Sequence, residues 1–359
     1  MKNFYLGKKK IGTSYPVYFI ADIAANHDGD IKRAQDLIYL AAECGADAAK
    51  FQNFKVDKIV SKYGFKSLKK QLAHQKSWKN SVYETYQKAS LKKEWTPILK
   101  DTCQKAGIEY FTSPYDFDSV DAVYSYVSVY KIGSGDITWL EIIDYICKKK
   151  KPIILATGAS SIEDVKQAMN IILNQTKKVV LMQCNTNYTN NPDNFKFINL
   201  NVLKLYHKLY PNVVLGLSDH TPGHTTVLGA ISLGTKVIEK HFTDINNREG
   251  PDHIFSMNPR TWKEMVERTR ELESSLGDGI KRIEKNEGEA AIVQRRALRT
   301  TRRLKIGEIL HKGDLEPLRP IPKDGIAPYL INRILGQKLI KPLSKGEHIT
   351  VKHVKYSKE

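Results

Sequence analysis

Two histidines each end an apolar, β-branched run, and together they could bind a metal ion. VVLGLSDH ends at His220, and KVIEKH ends at His241, 21 residues later. This spacing corresponds to about one strand–helix–strand unit, so the two imidazoles could lie side by side. Neutral imidazole is a common ligand of divalent transition metals. For either histidine alone we would favour a hydrogen bond that closes its strand, but the matched pair favours a metal site.

Two lysines at the ends of predicted strands have two chemical uses. Lys131, in KIGSGD, could form a Schiff base with a carbonyl if it is uncharged. Alternatively, Lys50 and Lys131 stay charged and bind a phosphate or carboxylate. The second use is favoured by nearby hydroxyls and by the glycine backbones of KIGSG and ATG, which supply the donors that a phosphate needs. The hydroxyl-bearing residues are Thr112, Ser113, Ser134, Thr157 and Ser218.

Eight apolar runs with helical segments between them must position these side chains. The intervening segments, such as IKRAQDLIYLAAECG and SIEDVKQAMNIILNQ, have apolar residues at spacings of three and four. Buried strands that alternate with such helices indicate a parallel sheet, and eight units predict an α/β fold of the (β/α)8 TIM-barrel type. The polar stretch 53–90 is an insertion after the second strand that could form a lid. The predicted strands are 17–23, 46–52, 108–113, 127–133, 152–157, 178–184, 212–219 and 235–241.

In such a barrel, the chemistry collects at the carboxyl ends of the strands. Every predicted strand ends in polar residues, whereas the opposite ends show no comparable set. In chain order these polar residues are Asp22, Lys50 and Gln52, Thr112 and Ser113, Lys131 with Ser134 and Asp136, Thr157, Thr186 and Tyr188, Ser218 with His220, and His241.

The sequence pattern of the C-terminal region differs from that of the barrel. Short apolar runs alternate with IGE, KGD and KGE turns, which is typical of a small β-rich domain. We therefore predict a barrel over residues 1–275, a polar linker over 276–298 and a compact domain over 299–359.

The composition is that of a globular protein and argues against membrane-spanning and disulfide-rich classes of protein. The chain has 359 residues, 41% hydrophobic and 27% charged, with no apolar run near the ~20 residues of a membrane span. No secretory signal is recognisable, so we expect a cytoplasmic protein. Four scattered cysteines without a CxxC pair indicate neither a zinc site nor a disulfide framework. The net charge of +18 could attract nucleic acid or steer a small anion, but a solvated lysine-rich surface is the simpler interpretation.

Taken in order, the motifs resemble those of the sialic acid synthases, from about residue 17 to 354. The C-terminal segment is similar to the antifreeze-like (SAF) domain of that family. The matching motifs are NHDGD (26–30), AKFQ (49–52), YKIGSGD (130–136), ATGAS (156–160), GLSDHT (216–221), EKHFTD (239–244) and GPDHIFSMNP (250–259).

The resemblance implies a transferase that condenses phosphoenolpyruvate with an open-chain 2-acylamino sugar aldehyde. Phosphate leaves by C–O cleavage, and a nine-carbon nonulosonic acid forms. A divalent metal, expected to be Mn²⁺ with Mg²⁺ or Co²⁺ as alternatives, would bind His220 and His241 and activate the aldehyde as a Lewis acid. Phosphoenolpyruvate would be held by Lys50, Ser113, Lys131, Ser134 and Ser218.

The resemblance also implies the groups that bind the sugar. Gln52, Tyr188 and Asp252 match the sugar-binding positions. Arg296, or its neighbour Arg295, matches an arginine that the SAF domain offers to the partner subunit. The implied assembly is a domain-swapped homodimer.

Three positions depart from the family pattern. Asp22 stands where the presumed general acid/base is usually glutamate, Ala156 replaces a serine, and Thr186 replaces an asparagine. These changes touch the wall of the site, so the acceptor could be N-acetylmannosamine, giving N-acetylneuraminate, or a diacetamido-trideoxy sugar, giving a legionaminate- or pseudaminate-type acid.

Three other functions compete with this one. A lysine-dependent aldolase would use Lys131 as a Schiff base. An enzyme that condenses sugar phosphates would make a Kdo- or DAHP-type acid, but the SAF-like segment speaks against it. A non-catalytic sugar-binding barrel is opposed by the intact set of two lysines and two histidines.

Overall fold

The computed structural model describes residues 3–71 and 73–355. The chain divides into two compact units, Met1–Gly277 and Asp278–Glu359.

The first unit contains the predicted barrel. An N-terminal antiparallel hairpin, β1 (Phe4–Leu6) and β2 (Lys9–Ile11), precedes it. Eight parallel strands then follow: β3 (Tyr18–Asp22), β4 (Ala48–Asn53), β5 (Glu109–Pro114), β6 (Tyr130–Ile132), β7 (Ile153–Ala156), β8 (Val179–Cys184), β9 (Val214–Asp219) and β10 (Val237–His241). Their order in the sheet is β5-β4-β3-β10-β9-β8-β7-β6, and contact between β5 and β6 closes the sheet. Each predicted run overlaps one of these strands, so the (β/α)8 prediction is confirmed.

Amphipathic helices surround the strands, and side-chain caps fix where several of them begin. The barrel-unit helices are α1 (Ile31–Glu43), α2 (Val56–Ile59), α3 (Lys62–Ser67), α4 (Val82–Ala89), α5 (Trp95–Lys105), α6 (Phe117–Val123), α7 (Leu140–Lys148), α8 (Ile162–Gln175), α9 (Val202–Leu209), α10 (Thr225–Ser232) and α11 (Pro259–Ser275). The Asp30 carboxylate accepts from backbone N–H groups of the first turn of α1, and Ser161 forms a capping box with Asp164 at the start of α8.

Alternate residues of each strand face different layers. Phe19 and Ala21 belong to the larger buried cluster between strands and helices, whereas Tyr18 and Ile20 belong to a second cluster inside the barrel. The N-terminal hairpin contributes Phe4, Leu6 and Ile11 to this inner cluster, so it fills the amino end of the barrel. A cavity for a substrate can therefore open inside the barrel only at the carboxyl end.

The insertion at 53–90 is helical. It comprises α2, α3, a 3₁₀ turn (Ala73–Ser77) and α4. Its nine lysines are all exposed, whereas Phe54 and Val82 are buried. The insertion therefore has an apolar side and a cationic side.

The second unit is small and rich in turns. It contains α12 (Gly288–Val293) and an antiparallel pair, β11 (Ala297–Thr300) and β12 (Leu315–Leu318). Its own buried cluster includes Leu298, Leu304, Ile334 and Ile349. Across both units, none of the helices described is long and apolar enough to cross a membrane.

Candidate active site

A cavity of about 410 Å³ opens at the carboxyl ends of the barrel strands. This volume lies within the usual range for small-molecule sites. Most of the residues predicted from the sequence line it: Asp22, Lys50, Gln52, Ser113, Lys131, Ser134, Asp136, Tyr188, Ser218, His220, His241 and Asp252. The barrel thus brings together side chains that are far apart in sequence.

Alternating charges form the floor of this cavity. Lys50 Nζ lies 2.6 Å from Asp22 Oδ2 and 3.6 Å from Glu239 Oε1, and Lys131 Nζ donates to the same Glu239 oxygen at 2.9 Å. All four side chains are at most 4% exposed. Burial alone would lower the pKa of Lys50, but the two carboxylates outweigh it and raise that pKa. The Lys50 ammonium is therefore charged at neutral pH.

The two predicted metal ligands lie side by side. The ring centroids of His220 and His241 are 5.4 Å apart. His220 Nδ1 lies 2.9 Å from the Asn185 carbonyl, which can only accept, so Nδ1 carries a proton, and Nε2 carries the lone pair when the ring is neutral. Burial alone would lower the pKa of His220, but Cys184 and the Asn185 carbonyl outweigh it and raise that pKa. Burial, with help from the nearby His220 and Lys50, lowers the pKa of His241 well below its ordinary value. Its imidazole is thus neutral, the form that binds metals.

The donor set fits a divalent cation. His241 Nδ1, Asp22 Oδ1 and Glu239 Oε2 are buried without a hydrogen-bond partner, so polar atoms around the histidine pair are unsatisfied within the protein. No group of three or more His, Cys, Asp or Glu side chains able to hold a metal occurs in the described part of the chain. A metal held by His220 and His241 would therefore complete its shell with water or substrate.

Two further carboxyls at the cavity have raised pKa values. Burial raises the pKa of Asp136 to about 6, and burial also raises the pKa of Asp252 to about 6. Asp252 Oδ2 accepts from the Ala25 amide at 3.2 Å and lies 3.9 Å from His241 Nδ1. These groups can exchange protons close to physiological pH.

The loop after β7 approaches the cavity closely. The Gly158 amide donates to Ser134 Oγ at 2.9 Å. A Cβ at Gly158 would come within 1.9 Å of Thr186 Oγ1 and 3.0 Å of Cys184 Sγ, so only glycine fits. Ala156 and Thr186, two of the departures from the family pattern, both line the cavity beside this glycine.

A second buried ion pair lies on the opposite face of the strands that carry the histidines. Lys240 and Asp219, each 1% exposed, form a salt bridge, and Lys240 Nζ also donates to the Thr221 carbonyl at 2.7 Å. Each of these charged residues directly precedes one of the two histidines in sequence. The pair therefore ties the ends of β9 and β10 together behind the site.

Two predicted residues of the barrel unit do not line the cavity. Thr112 donates to Asn53 Oδ1 at 2.6 Å, and Thr157 donates to the Met182 carbonyl at 2.9 Å. Both predictions were wrong about orientation, because Thr112 and Thr157 follow the strand alternation outward while Ser113 and Ala156 face inward. Arg296 belongs to the second unit, where its exposed Nη1 donates to the Pro317 carbonyl at 2.7 Å. Its role at a partner's site stays a prediction.

Sequence reasoning missed several residues of the site. Glu239 could have been found, because it lies two residues before His241 and so shares its face of β10. The insertion contributes residues that no strand pattern places: Phe54, Ile59, His74, Trp78, Thr85, Tyr86 and Ala89.

Comparison with known proteins identifies the family. The profile of the NeuB family matches residues 37–281, and that of the SAF domain matches residues 295–355. The chain belongs to the NeuB family. N,N'-diacetyllegionaminic acid synthase from Legionella pneumophila is 34% identical over 355 residues, covering 97% of each chain. Pseudaminic acid synthase from Campylobacter jejuni is 31% identical over 342 residues, covering 93% of this chain and 96% of that protein.

A solved structure supports the same assignment. The N-acetylneuraminic acid (sialic acid) synthetase from Leptospira borgpetersenii matches with a TM-score of 0.71 and 26% identity, over 80% of this chain and 95% of that one. The resemblance to sialic acid synthases with a SAF domain is thus confirmed. These three relatives are named as synthases of different acids: N,N'-diacetyllegionaminic acid, pseudaminic acid and N-acetylneuraminic acid.

Proposed function

We propose that this NeuB-family protein is a transferase that condenses phosphoenolpyruvate with an open-chain N-acyl amino sugar aldehyde. The observation that carries the proposal is a single cavity that holds two buried lysines and two adjacent histidines. Lysines and hydroxyls suit a phosphorylated acid, while the histidine pair suits a metal. A nonulosonic acid and inorganic phosphate are the products.

The lysine floor binds and orients phosphoenolpyruvate in this proposal. Lys50 and Lys131 supply ammonium groups, and Ser113, Ser134 and Ser218 supply hydroxyl donors around them. Glu239 and Asp22 hold both lysines in place before the substrate arrives. The incoming anion then takes over part of the interaction that these carboxylates provide.

The chemistry forms one carbon–carbon bond and breaks one carbon–oxygen bond. C3 of phosphoenolpyruvate attacks the aldehyde carbon, whose oxygen takes up a proton, and positive charge develops at C2. Water adds to C2 and loses a proton, and the tetrahedral intermediate collapses with expulsion of phosphate. A divalent ion at His220 and His241 would supply Lewis-acid activation of the aldehyde.

Asp22 is the proposed general acid/base. Its Oδ2 is fixed by Lys50, whereas its Oδ1 is buried without a partner and can accept a proton from water. The shorter side chain, compared with glutamate, requires that water to sit closer to the β3 end. Gln52, Tyr188 and Asp252 are proposed to bind the sugar, and Arg296 to complete the site of a partner in a domain-swapped dimer.

The geometry opposes the Schiff-base alternative. A lysine that attacks a carbonyl must be neutral. Lys131 forms an ion pair with Glu239 at 2.9 Å, and Lys50 is kept charged by its own ion pair with Asp22. Trapping with borohydride in the presence of pyruvate should therefore leave the protein unmodified. A stable adduct on Lys131 would restore the aldolase interpretation.

Phosphate release tests the proposal directly. Protein stripped of metal by EDTA should release phosphate from phosphoenolpyruvate only when both Mn²⁺ and an amino sugar aldehyde are added. His220→Ala and His241→Ala should stay folded and lose this activity, while His207→Ala, on the exposed face of α9, should keep it. Folded His220→Ala and His241→Ala variants with full activity in the absence of metal would refute the proposal.

A further inference from the structure

Five side chains beside the cavity form a closed ring of polar contacts, which we call the anchor ring. His253 Nε2 lies 3.0 Å from Asp28 Oδ1, and Arg33 Nε lies 3.0 Å from Asp28 Oδ2. The Arg33 guanidinium donates to both oxygens of Asp244, at 2.9 and 2.7 Å. Thr243 Oγ1 completes the anchor ring, 3.1 Å from Asp244 Oδ1 and 2.7 Å from His253 Nδ1. Among the described residues that line the cavity, none belongs to the anchor ring.

The anchor ring joins three chain segments, each of which carries a residue of the site. Its members Asp28, Thr243 and His253 come from the turn after β3, from the end of β10 and from the loop before α11. The site residues on these segments are, in the same order, Asp22, His241 and Asp252. The anchor ring therefore fixes how the proposed acid/base, one proposed metal ligand and a proposed sugar-binding carboxylate lie relative to one another.

The His253 imidazole is the part of the anchor ring that holds the loop before α11. Its side chain is 0% exposed, and both of its nitrogens have a partner, Asp28 and Thr243. The loop also passes close to it, because a Cβ at Gly250 would come within 2.5 Å of His253 Cδ2. An imidazole that is buried and bound through both nitrogens cannot turn, so it holds the loop in one position.

Asp252 is the site residue whose position depends most on this anchoring, because it directly precedes His253 in sequence. Its Oδ2 accepts from the Ala25 amide at 3.2 Å and lies 3.9 Å from His241 Nδ1. Ser256 Oγ donates to the Asp252 carbonyl at 2.6 Å, within the same loop. A shift of about 1 Å in a group that orients a reactant can slow a reaction about 100-fold. The direction of the Asp252 carboxylate is thus tied to the neighbouring imidazole.

We infer that His253 is a positioning residue for the acceptor, because through the anchor ring it holds Asp252 in the orientation that binds the sugar. This step rests on the proposed function, in which Asp252 binds the acceptor. Asp28 orients the imidazole from the β3 side. Lys50 and Lys131, proposed to hold phosphoenolpyruvate, lie on β4 and β6, which contribute no residue to the anchor ring. Loss of the anchor ring should therefore affect the acceptor and spare phosphoenolpyruvate.

Steady-state kinetics test the inference. Phosphate release would be measured with Mn²⁺, phosphoenolpyruvate and, as acceptor probes, N-acetylmannosamine and a 2,4-diacetamido-2,4,6-trideoxyhexose. His253→Leu removes two contacts of the anchor ring, but Arg33 still neutralises Asp28, so the variant should stay folded. We expect its KM for the acceptor to rise about 10-fold or more, with KM for phosphoenolpyruvate unchanged. His253→Gln should recover most of this loss, because its amide can still donate to Asp28.

A matched control lies just outside the anchor ring. Arg248 binds the same Asp244 carboxylate at 3.0 Å, but it is not a member of the anchor ring. Arg248→Ala should therefore keep the wild-type KM for both substrates. Asp28→Asn combined with His253→Leu should raise the acceptor KM no further than the more severe single change, because both changes break the same ring. Effects that multiply in this double variant would overturn the inference.

Amide hydrogen exchange of the loop tests the anchoring without any substrate. Exchange over residues 244–259 should be faster in His253→Leu than in the wild-type protein and should return toward the wild-type rate in His253→Gln, because the anchor ring resists local opening. Unchanged exchange in His253→Leu would overturn the inference. An active wild-type protein with unchanged acceptor KM in His253→Leu, or with equal rises in KM for both substrates, would overturn the inference alone. No phosphate release by the wild-type protein with either acceptor would overturn the proposed function and the acceptor role with it.

Discussion

Replacing Glu239 by glutamine should reveal whether the buried lysines bind phosphate. The change removes the charge that faces Lys131 at 2.9 Å and Lys50 at 3.6 Å, while Lys50 keeps Asp22 at 2.6 Å. Breaking a buried ion pair costs about 3–5 kcal/mol because it leaves one charge uncompensated. For a domain of this size, that loss corresponds to a fall in the barrel's melting temperature of roughly 6 °C or more.

A bound anion should restore much of the stability that Glu239→Gln loses. Phosphoenolpyruvate or inorganic phosphate can place its own charge between the two lysines without competing with the Glu239 carboxylate. At a concentration 100 times its Kd, a ligand stabilises the folded state by about 2.7 kcal/mol. The rise in melting temperature on adding either anion should therefore be larger for Glu239→Gln than for the wild-type protein.

Asp219→Asn is the matched control. It removes the carboxylate from Lys240, the residue next to Glu239, in a pair that is equally buried but faces away from the cavity. We expect Asp219→Asn to lose a comparable amount of stability. Its melting temperature should rise on adding phosphate only as much as that of the wild-type protein. Thermal scans of the three proteins measure this comparison. An identical anion response in all three would refute phosphate binding by Lys50 and Lys131.

Three other outcomes are expected. Burial raises the pKa of Asp136 to about 6, so the stability that this carboxyl contributes is present below about pH 4 and is lost as the pH rises through 6. In denaturant titrations without ligands, the free energy of unfolding of Asp136→Asn should exceed that of the wild type by about 1–3 kcal/mol at pH 8. The same difference at pH 4 would contradict this prediction. A triple variant reverses the charge of exposed lysines in the insertion, by Lys58→Glu, Lys66→Glu and Lys76→Glu. It should bind phosphoenolpyruvate about threefold or more weakly at low salt, and almost as tightly as the wild type at 0.5 M salt. The control reverses three lysines at the opposite end of the barrel, by Lys177→Glu, Lys178→Glu and Lys208→Glu, and should bind as the wild type does; equal weakening in the control would exclude steering by the insertion. Finally, Arg296→Ala should raise KM for the acceptor about 10-fold, whereas Arg295→Ala should not, and unchanged kinetics in Arg296→Ala would remove that residue from the site.

The barrel could be predicted because its strands are short apolar runs at regular spacing. Each run from 17–23 to 235–241 overlaps the expected strand, and most of the polar residues at the run ends collect around one cavity. The N-terminal hairpin was not predicted, because Phe4, Leu6 and Ile11 form too short a pattern to stand out before the barrel interior is known.

Errors within the site have one physical cause. Nearness to a strand end does not settle which way a side chain points, so Thr112 and Thr157 were placed in the site although the alternation within β5 and after β7 directs them outward. The same alternation would have added Glu239. The aromatic residues that the insertion adds to the cavity could not be predicted, because His74, Trp78 and Tyr86 reach the cavity through the tertiary packing of an irregular insertion.

Oxygen-18 labelling tests the central claim most directly. Phosphoenolpyruvate labelled at the oxygen that bridges C2 and phosphorus would be incubated with Mn²⁺, an amino sugar aldehyde and the full-length protein. The proposal predicts that phosphate is released only with the complete mixture and that this phosphate retains the label, because the C–O bond breaks. Release of unlabelled phosphate, or release without an acceptor, would contradict the proposal.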